Sequence, residues 1–431
     1  MTLSSIEQNL SSYIDQHTDR LVGITRDLVR IPSENMPPAG SEGKCQRYVA
    51  GLLQKLGWQP QLYLLDDVPG LKQHPLFFGG RCYDNRPNLG ARQKGAGGGR
   101  SLMLSGHVDT VPRGSYQWAK DPFGGEVDGN RLFGRGSNDM KAGVATNLFV
   151  LECLRELNIR LAGDLLFETV IDEEFGGVNG TLAGRLMGFN ADAAIIAEPS
   201  FLRICPAQRG GRTVHLTLQS SGGVLTEGEF PAGVIEKLTF LLARLRDFAE
   251  QRRAGAKPHD LYDHHADPVP VSVTKIVTSL WGTQEPITIP EQCKIEIYWQ
   301  LMPGETQENV EREFFNWLLS LTTLPGSPIS EVPAATFPIR WLPGSAISRS
   351  EPLVTEFASC ATRALGKTPP IAGMEAPCDM YVFHEVTKTP AILWGGRGDN
   401  THGADEYVEI DSMVDAAKAL LAFVCQWCGI A

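Results

Sequence analysis

Between residues 62 and 199 the chain repeats short, strongly apolar runs: LYLL (62–65), SLMLSGHVD (101–109), DLLFETVIDEE (164–174) and AAIIAEP (193–199). The helix-periodic run VATNLFVLECLREL (144–157) separates two of them. Strands alternating with helices dictate an α/β layer whose sheet is largely parallel. Open sheets of that kind take ligands in the crevice at the carboxyl ends of their strands. Histidine and carboxylate side chains stand at those ends here, at His107, Glu173, Glu174 and Glu198.

The flanking segments extend this layer and interrupt it once. Residues 4–30 place apolar side chains mostly three or four apart, which predicts a helix that IPSENMPP cannot continue. Gly40 to Leu56 reads as a second helix. The glycine- and arginine-rich stretch 79–100 contains GAGGG but lacks the GK[ST] ending of a phosphate cradle, so it is read as a hairpin turn. From about Gly210 the pattern changes to TVHLTLQ, a helix from Ala232 to Arg253, a polar loop, and the strands VSVTKIV and CKIEIYWQLMP. After the helix in PGETQENVEREFFNWLLSL and a Pro/Gly-rich passage, the α/β style resumes with LVTEFASCATRAL, PAILWGG and a final helix. The expectation is a discontinuous α/β domain, 1–208 and 329–431, carrying an inserted α+β domain at 209–328.

Composition narrows the class of function. With 431 residues the chain exceeds one ordinary core, and 42% hydrophobic with 21% charged residues is the balance of a folded, non-membrane protein. A net charge of −11 argues against a surface that neutralises phosphates, so nucleic acid is not an expected partner. The first 20 residues lack the unbroken apolar stretch of a signal peptide and no later run approaches a membrane span, which predicts a cytoplasmic protein with no membrane partner. Nine cysteines, scattered apart from Cys425 and Cys428, suggest mostly reduced, buried side chains, and that CxxC pair has no second pair to complete a metal site.

Five segments gather metal-ligand residue types: SGHVDTVP, GRGSNDMKAG, IDEEFGG, AEPS and NTHGADEY. His107 and Asp109 are two apart, so on an extended chain they leave the same face and the carboxylate can orient the imidazole. Asp139 lies among Gly134, Gly136 and Gly143, where the backbone can approach closely and one carboxylate can bridge two cations. Glu173 and Glu174 end a buried strand, where two like charges are costly without a cation; one can bind metal while the other stays free as a general base. Glu198 ends another buried strand, and His402 sits in a polar loop before the last helix. Two imidazoles and three carboxylates suit Zn²⁺, Co²⁺ or Mn²⁺.

In order and spacing these motifs resemble the family of acetylornithine deacetylase, succinyl-diaminopimelate desuccinylase, aminoacylase and glutamate carboxypeptidase. The resemblance spans nearly the whole chain, with gaps of 32, 35, 24 and 204 residues between His107, Asp139, Glu174, Glu198 and His402. It implies a zinc-peptidase-like three-layer catalytic domain with a mixed, largely parallel sheet, and a ferredoxin-like inserted domain that acts as lid and dimerisation surface. It implies two divalent metal ions, most simply zinc, with His107, Asp139 and Glu198 on one and Asp139, Glu174 and His402 on the other. Glu173 would then be the base, Asp109 the support of His107, and Asp139–Met140 a cis peptide. The implied protein is a homodimeric hydrolase of small N-acyl amino acids or related amides.

The chain departs from that pattern at four places. Thr226 stands where the family carries an oxyanion-stabilising histidine, Ile287 and Gln300 replace an asparagine and an arginine of the lid, and Tyr381 replaces an arginine that grips a substrate carboxylate. Arg397 and His384 are nearby alternatives for substrate contact. The cluster His259, His264, His265, Asp260, Asp263 and Asp267 reads as a solvated loop, with His264 and His265 pointing apart if the chain is extended there. Competing readings are a catalytically weakened metal-binding homologue acting as a scaffold, a dipeptidase or carboxypeptidase of the same fold, and a two-metal phosphoesterase. Intact Glu173 counts against the scaffold, because holding metal does not need that base.

Overall fold

Strands buried on both faces have no solvent side for polar residues, and two of the apolar runs form strands of this kind: Leu102–His107 and Leu165–Val170, every residue buried. The computed structural model describes residues 3–221, 223–224, 232–278 and 288–431, so Thr226 and Ile287 lie outside the described residues. The chain forms two compact units, one of residues 1–207, 346–374 and 378–431, the other of residues 208–345 and 375–377.

In the first unit the elements in chain order are α1 (Leu3–Gln16), α2 (Thr18–Val29), α3 (Gly43–Lys55), β1 (Gln61–Leu64), β2 (Pro87–Gln93), β3 (Leu102–His107), α4 (Ala142–Glu156), β4 (Leu165–Val170), α5 (Asn179–Leu186) and β5 (Ala193–Ile196). The second unit follows with β6 (Gly210–Gln219), α6 (Val234–Gly255), β7 (Val271–Val277), β8 (Gln292–Leu301), α7 (Gln307–Ser320) and β9 (Ala334–Thr336). The first unit then resumes with α8 (Pro352–Leu365), β10 (Ala391–Leu393) and α9 (Ile410–Cys428).

The central sheet runs β10-β5-β3-β4-β2-β1. Its first four strands are mutually parallel, and β2 and β1 join antiparallel, so the sheet is mixed as expected. Helices α4 and α9 pack on β3, and α5 packs on β2 and β4. β3 carries His107 at its carboxyl end, and the chain leaving β4 and β5 carries Glu173, Glu174 and Glu198.

Two readings of this unit are corrected. The helix expected over 4–30 is two helices, broken at His17, whose ring stacks on Tyr13 at 3.9 Å while the Thr18 hydroxyl donates back to the Ile14 and Asp15 carbonyls. The supposed hairpin turn at 79–100 contains β2, a full strand of the central sheet. Its polar and glycine content misled: Asn88 is buried and donates to the Gly180 carbonyl at 2.7 Å while accepting from the Ile171 amide at 3.1 Å. At Gly90 a Cβ would meet the Phe189 ring at 2.5 Å, so glycine is what lets that ring cover the strand.

The second unit is an antiparallel sheet in the order β7-β8-β6-β9. With its two helices this is the ferredoxin-like β-α-β-β-α-β arrangement. It continues to Ser345, past the expected edge at 328, because Ala334–Thr336 in the Pro/Gly-rich passage pairs with β6. Its core centres on Trp299, stacked on Phe314 at 5.1 Å, with Phe248 edge-on at 5.8 Å. Residues 260–264 form a turn, not an extended chain, so the rings of His264 and His265 lie together with centroids 4.0 Å apart. No helix among the described residues is long and apolar enough to cross a membrane.

Candidate metal centre

His107 sits at the end of β3 with its ring 2% exposed. Its Nδ1 lies 2.9 Å from the backbone carbonyl of Asp109 and 3.6 Å from that residue's carboxylate. Asp109 therefore orients the ring chiefly through its main chain. The Asp109 carboxylate acts elsewhere. Its Oδ2 accepts from the amides of Glu173 (3.0 Å) and Glu174 (3.1 Å) and from Asn35 Nδ2 (2.9 Å), tying the chain after β4 to the chain after β3.

His107 Nε2 faces inward, 3.1 Å from Asp139 Oδ1, 3.8 Å from Glu198 Oε1 and 3.9 Å from Glu173 Oε2. His402 Nε2 lies 3.4 Å from Asp139 Oδ2 and 2.9 Å from Glu174 Oε2. Asp139 thus presents one carboxylate oxygen to each imidazole. His107, Asp139 and Glu174 each offer a donor atom within 4.8 Å of the others. The Asp139–Met140 peptide is cis.

Local structure explains why these side chains meet. Gly136, at φ 78°, takes the left-handed conformation just before Asp139. At Gly143 a Cβ would come within 1.9 Å of the Ala197 carbonyl, so glycine lets the start of α4 close on the segment carrying Glu198. Glu406 is buried and caps the Asp139 loop: its carboxylate accepts from the amides of Gly136 (2.9 Å), Asn138 (3.0 Å) and Asp139 (3.0 Å) and pairs with Arg135 at 2.5 Å. Asn35, Glu406 and the Asp379–Thr181 pair, joined at 2.5 Å beside Glu173 and Glu198, were not anticipated from sequence. Of these, Glu406 lies four residues beyond His402 in the same polar segment, and Asp379 is the aspartate two residues before Tyr381 in EAPCDMYVFH.

The electrostatics are those of a crowded acidic cluster. Burial raises the Glu173 carboxyl well above the usual range; His107 opposes the rise, and Asp379, Glu198 and Glu174 add to it. Burial, and then the charge of Asp139, push Glu198 up to about 8. Burial and Asp139 likewise raise Glu174. Burial works against charge on His402, yet Glu174 and Asp139 raise its imidazole to about 11. His107 is held well above its ordinary value, against its burial, by Asp139, Glu198 and Glu173. Asp139 alone is driven down, by its bonds to both imidazoles. Without another cation the cluster collects protons. Divalent cations would supply the same neutralisation, and the mixed imidazole and carboxylate donors fit them.

The alternative substrate contacts are otherwise engaged. Arg397 pairs with Glu409 at 2.8 Å, Gln300 accepts from Arg209, and Tyr381 is fully buried. His384 Nε2 accepts from the Ala391 amide at 3.3 Å, at the start of β10. Burial lowers the His384 imidazole to about 4, below the ~6.5 of an unfolded chain, so the native ring is neutral. Its contribution to stability is therefore complete above pH ~6.5 and is lost as pH falls through that value towards 4. His384→Gln is expected to flatten the fall in urea-unfolding free energy between pH 7 and pH 4 by up to about 3 kcal/mol. An unchanged pH slope in the variant would refute this.

Comparison with known proteins now gives the family. Residues 103–426 match the family model of peptidase family M20/M25/M40. N-formyl-4-amino-5-aminomethyl-2-methylpyrimidine deformylase of Halalkalibacterium halodurans is 29% identical, over 98% of each chain. Succinyl-diaminopimelate desuccinylase of Rhodospirillum centenum is 25% identical over 94% of this chain and 97% of its own. The structure of human carnosine dipeptidase 1 superposes with a TM-score of 0.75 at 16% identity, covering 98% of this chain and 99% of that one, a likeness of fold. The chain belongs to peptidase family M20/M25/M40 and is a hydrolase acting on amides.

Proposed function

We propose that this hydrolase uses a two-metal centre to remove a small acyl group from an amine, on N-acyl amino acids or related amides. In this reading His107, Asp139 and Glu198 hold one divalent cation, and Asp139, Glu174 and His402 hold the other. Zinc suits the donors best, with cobalt or manganese as substitutes. The observation that carries the reading is the carboxylate of Asp139, whose two oxygens face two different imidazoles at 3.1 and 3.4 Å. When bound, such a pair of cations polarises the amide carbonyl and lowers the pKa of water.

Glu173 takes the proton from that water and passes it to the leaving amine. Three features favour it over Glu174 for this role: Glu174 Oε2 is committed to His402 at 2.9 Å, Glu174 Oε1 accepts from the Val111 amide at 3.1 Å, and the Glu173 carboxylate stands back 3.9 Å from the nearest imidazole nitrogen. Asp109 holds the Glu173 amide and so fixes where the base stands. The inserted unit serves as lid and dimerisation surface of a cytoplasmic homodimer.

The two relatives' names describe removal of a formyl and a succinyl group, which supports acyl-group removal over peptide cleavage. Tyr381, buried where the resembled enzymes carry a carboxylate-gripping arginine, supports amines that lack an α-carboxylate. The test is a panel of N-formyl, N-acetyl, N-succinyl and N-carbamoyl amines and amino acids, with dipeptides, against protein loaded with Zn²⁺, Co²⁺ or Mn²⁺. Metal-dependent cleavage is expected to be fastest on an N-acyl amine. Cleavage confined to dipeptides would replace this reading with a dipeptidase.

A further inference from the structure

The loop joining α6 to β7 is built, not merely solvated. Leu261 and Tyr262 anchor it at 1% and 2% exposure, and the Tyr262 and His265 amides close successive turns on His259 O (2.8 Å) and Tyr262 O (3.0 Å). Asp267 fixes its far end, accepting from the Val269 amide at 3.1 Å and pairing with Arg253 at 2.7 Å. These turns hold the His264 and His265 rings 4.0 Å apart between centroids. Glu375, distant in sequence but part of the same unit, brings its Oε1 to 3.5 Å from His265 Nε2. One donor atom from each of His264, His265 and Glu375 lies within 4.8 Å of the others.

We propose that His264, His265 and Glu375 form an additional metal site for a borderline divalent cation of the Zn²⁺ type. Zinc bonds of 2.0–2.1 Å in a tetrahedron put neighbouring donors roughly 3.4 Å apart, which the His265–Glu375 pair nearly meets. His264 is exposed and its ring can turn to complete the approach, leaving a fourth position for water. The donor set is again mixed nitrogen and oxygen, which a hard cation such as Mg²⁺ does not favour. Arg209 feels the Glu375 charge and its guanidinium lies 5.1 Å from the Tyr262 ring centroid, so it is the resident cation with which a metal must coexist. Occupied, the site would pin the 256–270 loop to the segment that continues, four residues on from Glu375, into Asp379.

The experiment uses the full chain, freed of metal by chelator dialysis, then titrated at pH 7.5 with Zn²⁺ by equilibrium dialysis and with Co²⁺ by visible absorption. His264→Ala changes an exposed side chain and should fold normally, and His265→Gln is the second variant. Wild type is expected to bind one equivalent more than either variant, and the difference should persist when His402→Ala is added to each. Because it is a difference, it reads independently of how many ions the strand-end cluster holds. Equal stoichiometry and affinity in all three proteins would overturn the site.

Discussion

Glu173→Gln is expected to lower kcat by about 1,000-fold or more while leaving KM and the bound metal close to wild type. The size follows from the role: a positioned acid or base contributes typically 10²–10⁴-fold, and here one carboxylate serves both proton transfers. Glutamine keeps the volume and the amide link to Asp109 Oδ2, so the ends of β3 and β4 remain joined. It removes only the capacity to accept a proton. If Glu173 were instead a ligand, the variant would lose metal in proportion to activity. Metal content by elemental analysis, measured on the same preparation as kcat, separates the two. A variant that keeps both its metal and its turnover would sink the general-base assignment, since no buried carboxylate would then be needed beyond the ligands.

What made this centre legible in the sequence is the economy of a parallel sheet. Strands buried on both faces are mostly apolar along their length, so His107, Glu173, Glu174 and Glu198 at and beyond their ends stood out against those runs. Other parts of the molecule obey rules that a local reading does not see. β2 reads PNLGARQ, and its polarity makes sense only once Asn88 is bonded to Gly180 and Phe189 lies over Gly90, residues about 100 positions away. β9 is three residues in a Pro-rich passage, and its identity depends on pairing with β6. Asn35 is likewise invisible locally, because it acts on a carboxylate presented by another segment, and Glu406, though close to His402 in sequence, shows its role only once it caps the Asp139 loop. The contact made by Asp109 shows the same limit from the other side. Spacing brought it beside His107, yet only the folded loop decides that the carbonyl faces the ring while the carboxylate faces the glutamates' amides.

Asp139→Ala is the harsher test, because it removes the one side chain that both imidazoles share. His107 Nε2 would lose its 3.1 Å partner and His402 Nε2 its 3.4 Å partner, leaving Glu198 with the first and Glu174 with the second. Two protein donors are too few for a stable zinc site, which ordinarily takes three or four. Metal content is therefore expected to fall by at least one ion per chain with Zn²⁺ in molar excess over its sites, with activity down by at least about 1,000-fold, the loss of an electrostatic element and of a positioned water together. Asp139→Asn gives the finer reading: it keeps the shape and one oxygen, so it should retain more metal than alanine but bridge less well. The rest of the fold should be indifferent, since Glu406 caps the loop through backbone amides that both variants preserve. Two bound ions in Asp139→Ala combined with His264→Ala, with far-ultraviolet circular dichroism unchanged, would mean that the cations do not share this carboxylate and that the two imidazoles serve independent sites.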